Sequence, residues 1–539
     1  MSAPALAPAP PAPRHLAAIT AGLVLGVSLA ALDMTIVATA VRTIADDLGG
    51  VELQAWATTA YLVTAAISTP LYGRLSDVHG RKPLFLVAIA VFVAGSLACS
   101  LARSMPELAA YRAVQGLGAG GLFSLAVTII GDVVPARERA RHGGRLIAVY
   151  ALFGVLGPVA GGFLAASPDL FGITGWRWVF LVNVPVGALA MLIVAVFLHL
   201  PPQHGDRRVD WLGAVTLTLG VVPLLVVAEE GRNWGFTAPE SLASYAVGVV
   251  GLALFVVAEG RAGADALLPL RFFRFPAFRL CSLAGLITGF GMFGAITALP
   301  LYLQIVKGRS PTAAGLLMVP MVAGIVVGSA LSGRAIARTG RYRIWPLSGS
   351  ALMVLGMFWL SAIGAATAMW PVAAAMIAFG VGLGANLQPL TSGVQNAVPR
   401  ADSGVATASA AFVRQLGGSL GAAVFLSVLF GALPERIARA LRTAAATPEF
   451  RAALTDPAVL AEPANRVVAE SLRAGGGAAD AVLADSSVLS RLHPELARPF
   501  LTGFAEATSL VFAVGAVVLV VGLVAALLLP DEQLLAGDD

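Results

Sequence analysis

The feature that most constrains this chain is a run of fourteen apolar stretches, each close to the roughly 20 residues that a helix needs to cross the hydrocarbon core of a bilayer. They fall near 16–41, 55–73, 84–102, 107–131, 146–167, 178–198, 211–228, 241–258, 280–304, 312–333, 344–364, 371–396, 404–430 and 502–529. In lipid every backbone polar group must be paired within the protein, so stretches like these are read as helices. Composition agrees: 58% of the 539 residues are hydrophobic and 12% charged, about half the charged share of a soluble domain. The expected fold class is an all-α polytopic membrane protein, with lipid as the solvent for most of its surface.

Charge then orients the chain. The net charge is +5, but the cations form no single basic face or tail of the kind that binds nucleic acid. With the N-terminus inside, the inner loops carry 19 basic residues and the short outer loops 6, the bias expected of a cytoplasmic side. An even helix count returns the acidic tail (Asp531, Glu532, Asp538, Asp539) to the same side, so both termini are expected in the cytoplasm. Arg supplies 33 of the 35 basic residues; with abundant Ala this points to a GC-rich bacterial genome and a multi-pass protein of the cell (inner or plasma) membrane. The polar segment 432–499 falls outside. Cys99 and Cys281 both lie in apolar runs and read as small buried residues.

An internal repeat divides the chain. Gly73-Arg74 leading to Gly80-Arg81 recurs as Gly333-Arg334 leading to Gly340-Arg341, an offset of 260. Gly116, Gly118 and Gly120 recur as Gly380, Gly382 and Gly384, and Gly154 and Gly157 as Gly418 and Gly421, at an offset of 264. Such repeats are typical of secondary transporters, with the site between the halves. The expected organisation is a tail over 1–15, a six-helix bundle over 16–200, two inserted helices over 201–265, second-bundle helices over 266–431, an extracytoplasmic segment over 432–499, the last helix over 500–530 and a tail over 531–539.

The motifs resemble those of the major facilitator superfamily, specifically its fourteen-helix drug/proton antiporter branch. The residues that carry the resemblance are Leu32-Asp33-Met34-Thr35-Ile36-Val37 in helix one and the loop Gly73-Arg74-Leu75-Ser76-Asp77-Val78-His79-Gly80-Arg81-Lys82-Pro83. Arg112, Gln115, Gly116, Gly118 and Gly120 carry it in helix four, and Gly154, Gly157, Pro158, Gly161 and Gly162 in helix five. It covers about 16 to 530. It implies two six-helix bundles with two inserted helices, alternating access, and a role for Asp33 in recognition or proton coupling and for Arg112 in proton transfer.

The residues have their own reading beside it. A carboxylate in the membrane is expensive and usually functional; burial disfavours its charged form, so Asp33 suits a group that takes up and releases a proton. Arg112 lies at a comparable depth, on a helix that the resemblance places beside helix one. Arg414 is the deepest charge of the second half, either meeting an anionic substrate group or holding the bundle by an ion pair. Glu506 is the nearest approach to a second intramembrane acid, or sits at the interface. Asp77 can accept from Arg81 or from a helix N-terminus, a latch that Gly73, Arg74, Gly80 and Lys82 complete. The glycines of helix five let helices approach closely, and Pro158 removes one helix hydrogen bond. Tyr61, Gln115, Tyr302, Gln304, Asn386 and Gln388 are candidates to line a substrate cavity.

No GxxxxGK[ST] loop occurs, so the chain does not use ATP through a P-loop; HExxH is absent, and apart from the C-terminal Asp538-Asp539 the one Asp pair is Asp46-Asp47. No enzyme activity, cofactor or metal is expected. The expected function is proton-coupled efflux of small amphipathic compounds by a monomer. The alternative is the same scaffold moving a lipid precursor, a self-made metabolite or an imported solute.

Overall fold

In a computed structural model the described residues are 13–48, 54–134, 136–167, 169–200, 209–399, 402–473, 489 and 491–531. Of the tails expected over 1–15 and 531–539, residues 1–12 and 532–539 lie outside them, as do the stretch 201–208 and the run Gly475-Gly476-Gly477, while 13–15 already belong to the first helix. Every apolar stretch of the sequence is carried on a helix. The first half comprises α1 (Pro13–Leu48), α2 (Gln54–His79), α3 (Arg81–Ser100), α4 (Met105–Val133), α5 (Ala136–Ala166), and the short α6 (Trp178–Leu181) running into α7 (Asn183–Phe197). A two-residue hairpin, β1 (Asp169–Leu170) with β2 (Ile173–Thr174), joins α5 to α6. Next come α8 (Trp211–Trp234) and α9 (Pro239–Ala262). The second half comprises α10 (Pro276–Leu301), α11 (Pro311–Leu317) with α12 (Val319–Thr339), α13 (Ile344–Leu360), α14 (Met369–Asn396) and α15 (Ser403–Ala445). After α16 (Pro448–Thr455), α17 (Pro457–Leu460) and α18 (Pro463–Arg473), the chain ends in the helix Pro494–Leu527, here α19. Ten helical spans among the described residues are long and apolar enough to cross a membrane.

Helix packing repeats. The heaviest contacts of the first half, α2 with α4, α1 with α5 and α3 with α4, have counterparts in α12 with α14, α10 with α15 and α13 with α14. The repeated glycines explain why. A Cβ on Gly116 would run into the Tyr61 carbonyl of α2, and one on Gly380 into the Met321 carbonyl of α12. On the other side of the same helices, Gly118 sits against Phe92 of α3 and Gly382 against Met353 of α13. Without side chains at these points the backbones come close enough for dispersion contacts to replace the hydrophobic drive that lipid removes. The pair α8–α9 packs mainly on itself, with lighter contacts to α2 and α15.

Helix α15 runs unbroken through residue 431 to Ala445. Its 43 residues at about 1.5 Å each span roughly 65 Å, twice a hydrocarbon core of about 30 Å. The far end stands clear of the bilayer, where Phe450 and Ala453 of α16 bury against Leu496 of α19.

Candidate functional site

Asp33 is fully buried on α1, in the interior of the first half. Its Oδ2 accepts from Arg112 Nη1 on α4 at 2.5 Å. Its Oδ1 accepts from Gln115 Nε2 at 2.8 Å and from Asn183 Nδ2 of α7 at 3.0 Å. Three donors converge on two oxygens, a set that fits a carboxylate. The network is closed around them. Arg112 Nη1 also reaches Gln115 Oε1 at 2.7 Å, and Arg112 Nε donates to the Ala57 carbonyl at 3.0 Å. Ser96 Oγ on α3 accepts from Gln115 and Asn183 and donates to the Phe180 carbonyl at 2.9 Å. Gln115, Asn183, Ser96 and Cys99 are each 0% exposed, so an ion pair stands in a fully buried shell of amides, one hydroxyl and one thiol. One atom breaks the pattern: Asn183 Oδ1 is buried with no hydrogen-bond partner. A buried unsatisfied acceptor of this kind calls for an explanation.

The network abuts a cavity without opening into it. The Arg112 guanidinium lies 4.1 Å over the ring of Tyr61, and Tyr61 and Met34, the neighbour of Asp33, line a cavity of about 120 Å³ between the halves. Phe123 of the first half and Phe293, Arg414 and Gln415 of the second complete its wall. Arg414 stacks over Phe123 at 5.1 Å, and Thr69 donates to Gln415 at 3.4 Å, so both cross the seam. A drug-sized site needs roughly 300–1,000 Å³, more than this cavity holds.

The signature loop lies at one end of the seam. Gly80 takes a φ of 93°, which only glycine adopts without strain, and turns α2 into α3. Arg81 pairs with Asp77, donates to Ser76 Oγ at 2.6 Å and reaches Asp132 at the end of α4 at 3.0 Å. The Asp77–Arg81 pair rests against Gly404 in the first turn of α15, and Gly73 faces Ala408 one turn on. An acid at a helix N-terminus is favoured by the helix dipole, so this contact ties the halves together. Arg74, fully buried, donates to Asp265 beyond α9 at 2.6 Å, and Lys82 donates to the Ala195 carbonyl at 2.7 Å.

The helix-five motif divides its work. Gly157 and Gly161 meet Thr35, Ile36 and Thr39 of α1, Gly162 faces Thr312 of the second half, and Gly154 meets nothing within 4 Å among the described residues. The backbone is helical through residue 158, whose side chain lies outside the described set.

Other sequence candidates lie elsewhere. Glu506 is not a buried acid: its side chain is 41% exposed and faces Arg436 at 3.5 Å. Tyr302 is packed in the second-half core with its hydroxyl on the Gly364 carbonyl at 3.0 Å. Asn386 bonds the Gly382 carbonyl of its own helix at 3.0 Å, Gln388 lies beside Gly143 of α5, and Gln304 is half-buried near the end of the span. None of these four lines the cavity. Beside Gln304, Lys307 donates to the Ala365 carbonyl at 2.7 Å; burial first, then Arg309, lowers its pKa. Sequence reasoning missed Ser96 and Asn183. The available signal was a lone amide inside the apolar run 178–198.

The description Major Facilitator Superfamily matches residues 23–422. The chain belongs to the major facilitator superfamily. This major facilitator transporter is therefore a multi-pass membrane protein of a family that binds small-molecule substrates, and not an enzyme. It is 39% identical to a tetracycline resistance determinant of Streptomyces rimosus, over 60% of this chain and 92% of that one. It is 32% identical to the multidrug transporter protein MdtP of Bacillus subtilis, over 76% and 74% of the two chains. Its fold is similar to that of the proton:xylose symporter XylE bound to 6-bromo-6-deoxy-D-glucose. The TM-score is 0.54 at 16% identity, covering 94% of this chain and 95% of that one.

Proposed function

We propose that this chain is a proton-coupled exporter of small amphipathic, drug-like or antibiotic compounds. Fourteen helices cross a bacterial cell membrane, both termini are cytoplasmic, and a monomer works by alternating access. The observation that carries the reading is the sealed Asp33–Arg112 pair one side chain away from a cavity between two repeated halves. The relatives named for multidrug transport and tetracycline resistance support the choice of cargo.

The coupling follows from hydrogen-bond supply. A proton on Asp33 turns one acceptor oxygen into a donor, and the present shell offers it no acceptor. Rotation of the Asn183 amide would bring the unpartnered Oδ1 to that proton. Protonation also removes the partner of Arg112, whose guanidinium is stacked on Tyr61, so the change reaches the cavity wall. On this reading the signature-loop end is the cytoplasmic side, shut by Asp77 and Arg81 against α15, and release of that contact lets the halves rock inward. The residues Gly73, Arg74, Gly80 and Lys82 shape the latch, while Gly157 and Gly161 hold α5 to α1.

The test is ΔpH-driven efflux in proteoliposomes. Asp33→Asn keeps the shape of the side chain and cannot exchange a proton. It is expected to insert normally and to lose pH-driven transport, and normal efflux by this variant would refute the coupling role.

A further inference from the structure

We propose that the joint between the inserted pair α8–α9 and α15 is a door in the lipid-facing wall, through which amphipathic cargo dissolved in the bilayer enters the cavity when the halves part. The inference deepens the export reading by giving the route of its cargo, and rests on that reading only for the parting of the halves.

The helices α2 and α15 each have two working faces. On α2, Leu62, Ala65 and Thr69 line the cavity, while Val63 and Ile67 join an apolar cluster with Leu217, Val221 and Leu225 of α8. On α15, Ala411, Arg414 and Gln415 line the cavity, while Phe412, Val413 and Leu416 belong to that same cluster. The inserted pair therefore covers the outer side of the α2–α15 seam, one helix away from the cavity. Its own outer face, where Leu219, Val249 and Val256 are exposed, is turned to lipid. Inside the pair the backbones approach closely: a Cβ on Gly251 would meet the Gly220 nitrogen, and one on Gly248 would meet Leu224 and the Gly220 carbonyl. No described glycine makes such an approach between the pair and α2 or α15, so contact there is through side chains. The hydroxyls of Thr216 and Thr218 donate to carbonyls of their own helix. Lipid tails are as apolar as leucine, so acyl chains or an apolar body can replace such side-chain contacts at little cost.

Polar ties decide which side of the cluster gives way. Asp265, just beyond α9, accepts from the buried Arg74 of α2 at 2.6 Å. Glu259 of α9 accepts from the Leu267 and Leu268 amides at 3.2 and 3.0 Å. Together they fasten the signature-loop end of the pair to the first half. Arg271, a few residues on, donates to Asp402 at the start of α15 at 2.8 Å and goes with the second half. Pro269 and Leu270 lie between the two ties, so a hinge motion of the halves is absorbed there. The pair stays on α2, and its apolar contact with Phe412, Val413 and Leu416 is the one that opens. The slot so formed runs from lipid, between α8 and α15, to the cavity face of α15.

The test is labelling of a cysteine placed in the cavity wall by Ala411→Cys, in full-length protein reconstituted in phosphatidylcholine vesicles without any gradient. One reagent is N-(1-pyrenyl)maleimide dissolved in the bilayer; the other is a sulfonated, membrane-impermeant maleimide present in the water on both faces. Cys99 and Cys281 are buried, and the chain without Ala411→Cys gives the background. Phe412→Ala trims the door and is expected to speed labelling from the bilayer at least fivefold, while labelling from water stays within twofold. Val413→Ala, a smaller cut at a partly buried position, should act in the same direction and keeps the proposal open to refutation if Phe412→Ala does not fold. Equal rises from bilayer and water, no rise from the bilayer, or no labelling from the bilayer in any variant would overturn the proposal. Because labelling needs no proton gradient, normal efflux by Asp33→Asn would sink the coupling and leave the door standing, and a door that fails these measurements leaves the coupling standing.

Discussion

The two halves share one helix framework and carry different chemistry. At the offset that relates Gly116 to Gly380, Arg112 corresponds to Met376 and Gln115 to Phe379. Both counterparts are 0% exposed and belong to the large apolar cluster of the second half. Where the first half buries an ion pair with its amides, the second buries a thioether and a ring. A buried pair recovers its desolvation cost only with good geometry and complete hydrogen bonding, and apolar replacements are often as stable or more so. The apolar solution is therefore what this framework settles on when stability alone is at stake. Keeping Asp33, Arg112, Gln115 and Asn183 in the first half calls for a purpose other than holding helices together.

The comparison is most sharply broken at Arg112. Arg112→Met makes the first half resemble the second at that point and leaves Asp33 buried without its counter-charge. That should cost about 3–5 kcal/mol, seen as a large drop in the thermal unfolding midpoint in detergent, whereas Met376→Leu should cost under about 1.5 kcal/mol. Completing the conversion should reverse the loss. The double variant Asp33→Leu with Arg112→Met is expected to recover most of the midpoint and to show no pH-driven transport. A double variant as unstable as the single one would mean that the pair is structural.

The shared framework gives a third, smaller test. Gly116→Val and Gly380→Val each push a branched side chain into a carbonyl of the adjoining helix, and overpacking of this kind costs about 1–3 kcal/mol. The two should lower the folded yield on size-exclusion chromatography by similar amounts; a clear difference would deny the equivalence of the halves. Smallest is Tyr302→Phe, which removes the bond to Gly364. It should shift the unfolding midpoint by the equivalent of about 1 kcal/mol and leave transport unchanged, since the residue lies outside the cavity wall.

Much of this was legible in the sequence because apolar length and repeated glycines are one-dimensional signals. The stretches near 107–131 and 371–396 both turn up as helices, and the three glycines in each mark where neighbours approach. The meeting of Asp33 with Arg112 was suggested by their common depth together with the neighbouring helices that the family resemblance implies, since each is a charge that lipid would not tolerate unpaired. Depth does not tell which way a neutral polar side chain faces. Asn386 looked like a cavity residue and instead bonds the backbone of its own helix, while Asn183, a single amide in an apolar run, turned out to touch the acid. Glu506 is exposed beside Arg436, in line with the interface alternative left open for it. Hydropathy marks where lipid begins and not where a helix does, and α19 starts at Pro494, twelve residues before Glu506. Ser96 carried no signal at all, since one hydroxyl among small residues is ordinary in a membrane helix.

The most direct measurement is of protons themselves. Purified protein in weakly buffered detergent, mixed with a transported compound and a pH-indicating dye, should exchange protons with the medium on binding. The amount should not exceed one proton per molecule, and Asp33→Asn should show none. Binding with no proton exchange in the wild type across the accessible pH range, or an equal exchange in Asp33→Asn, would contradict the account.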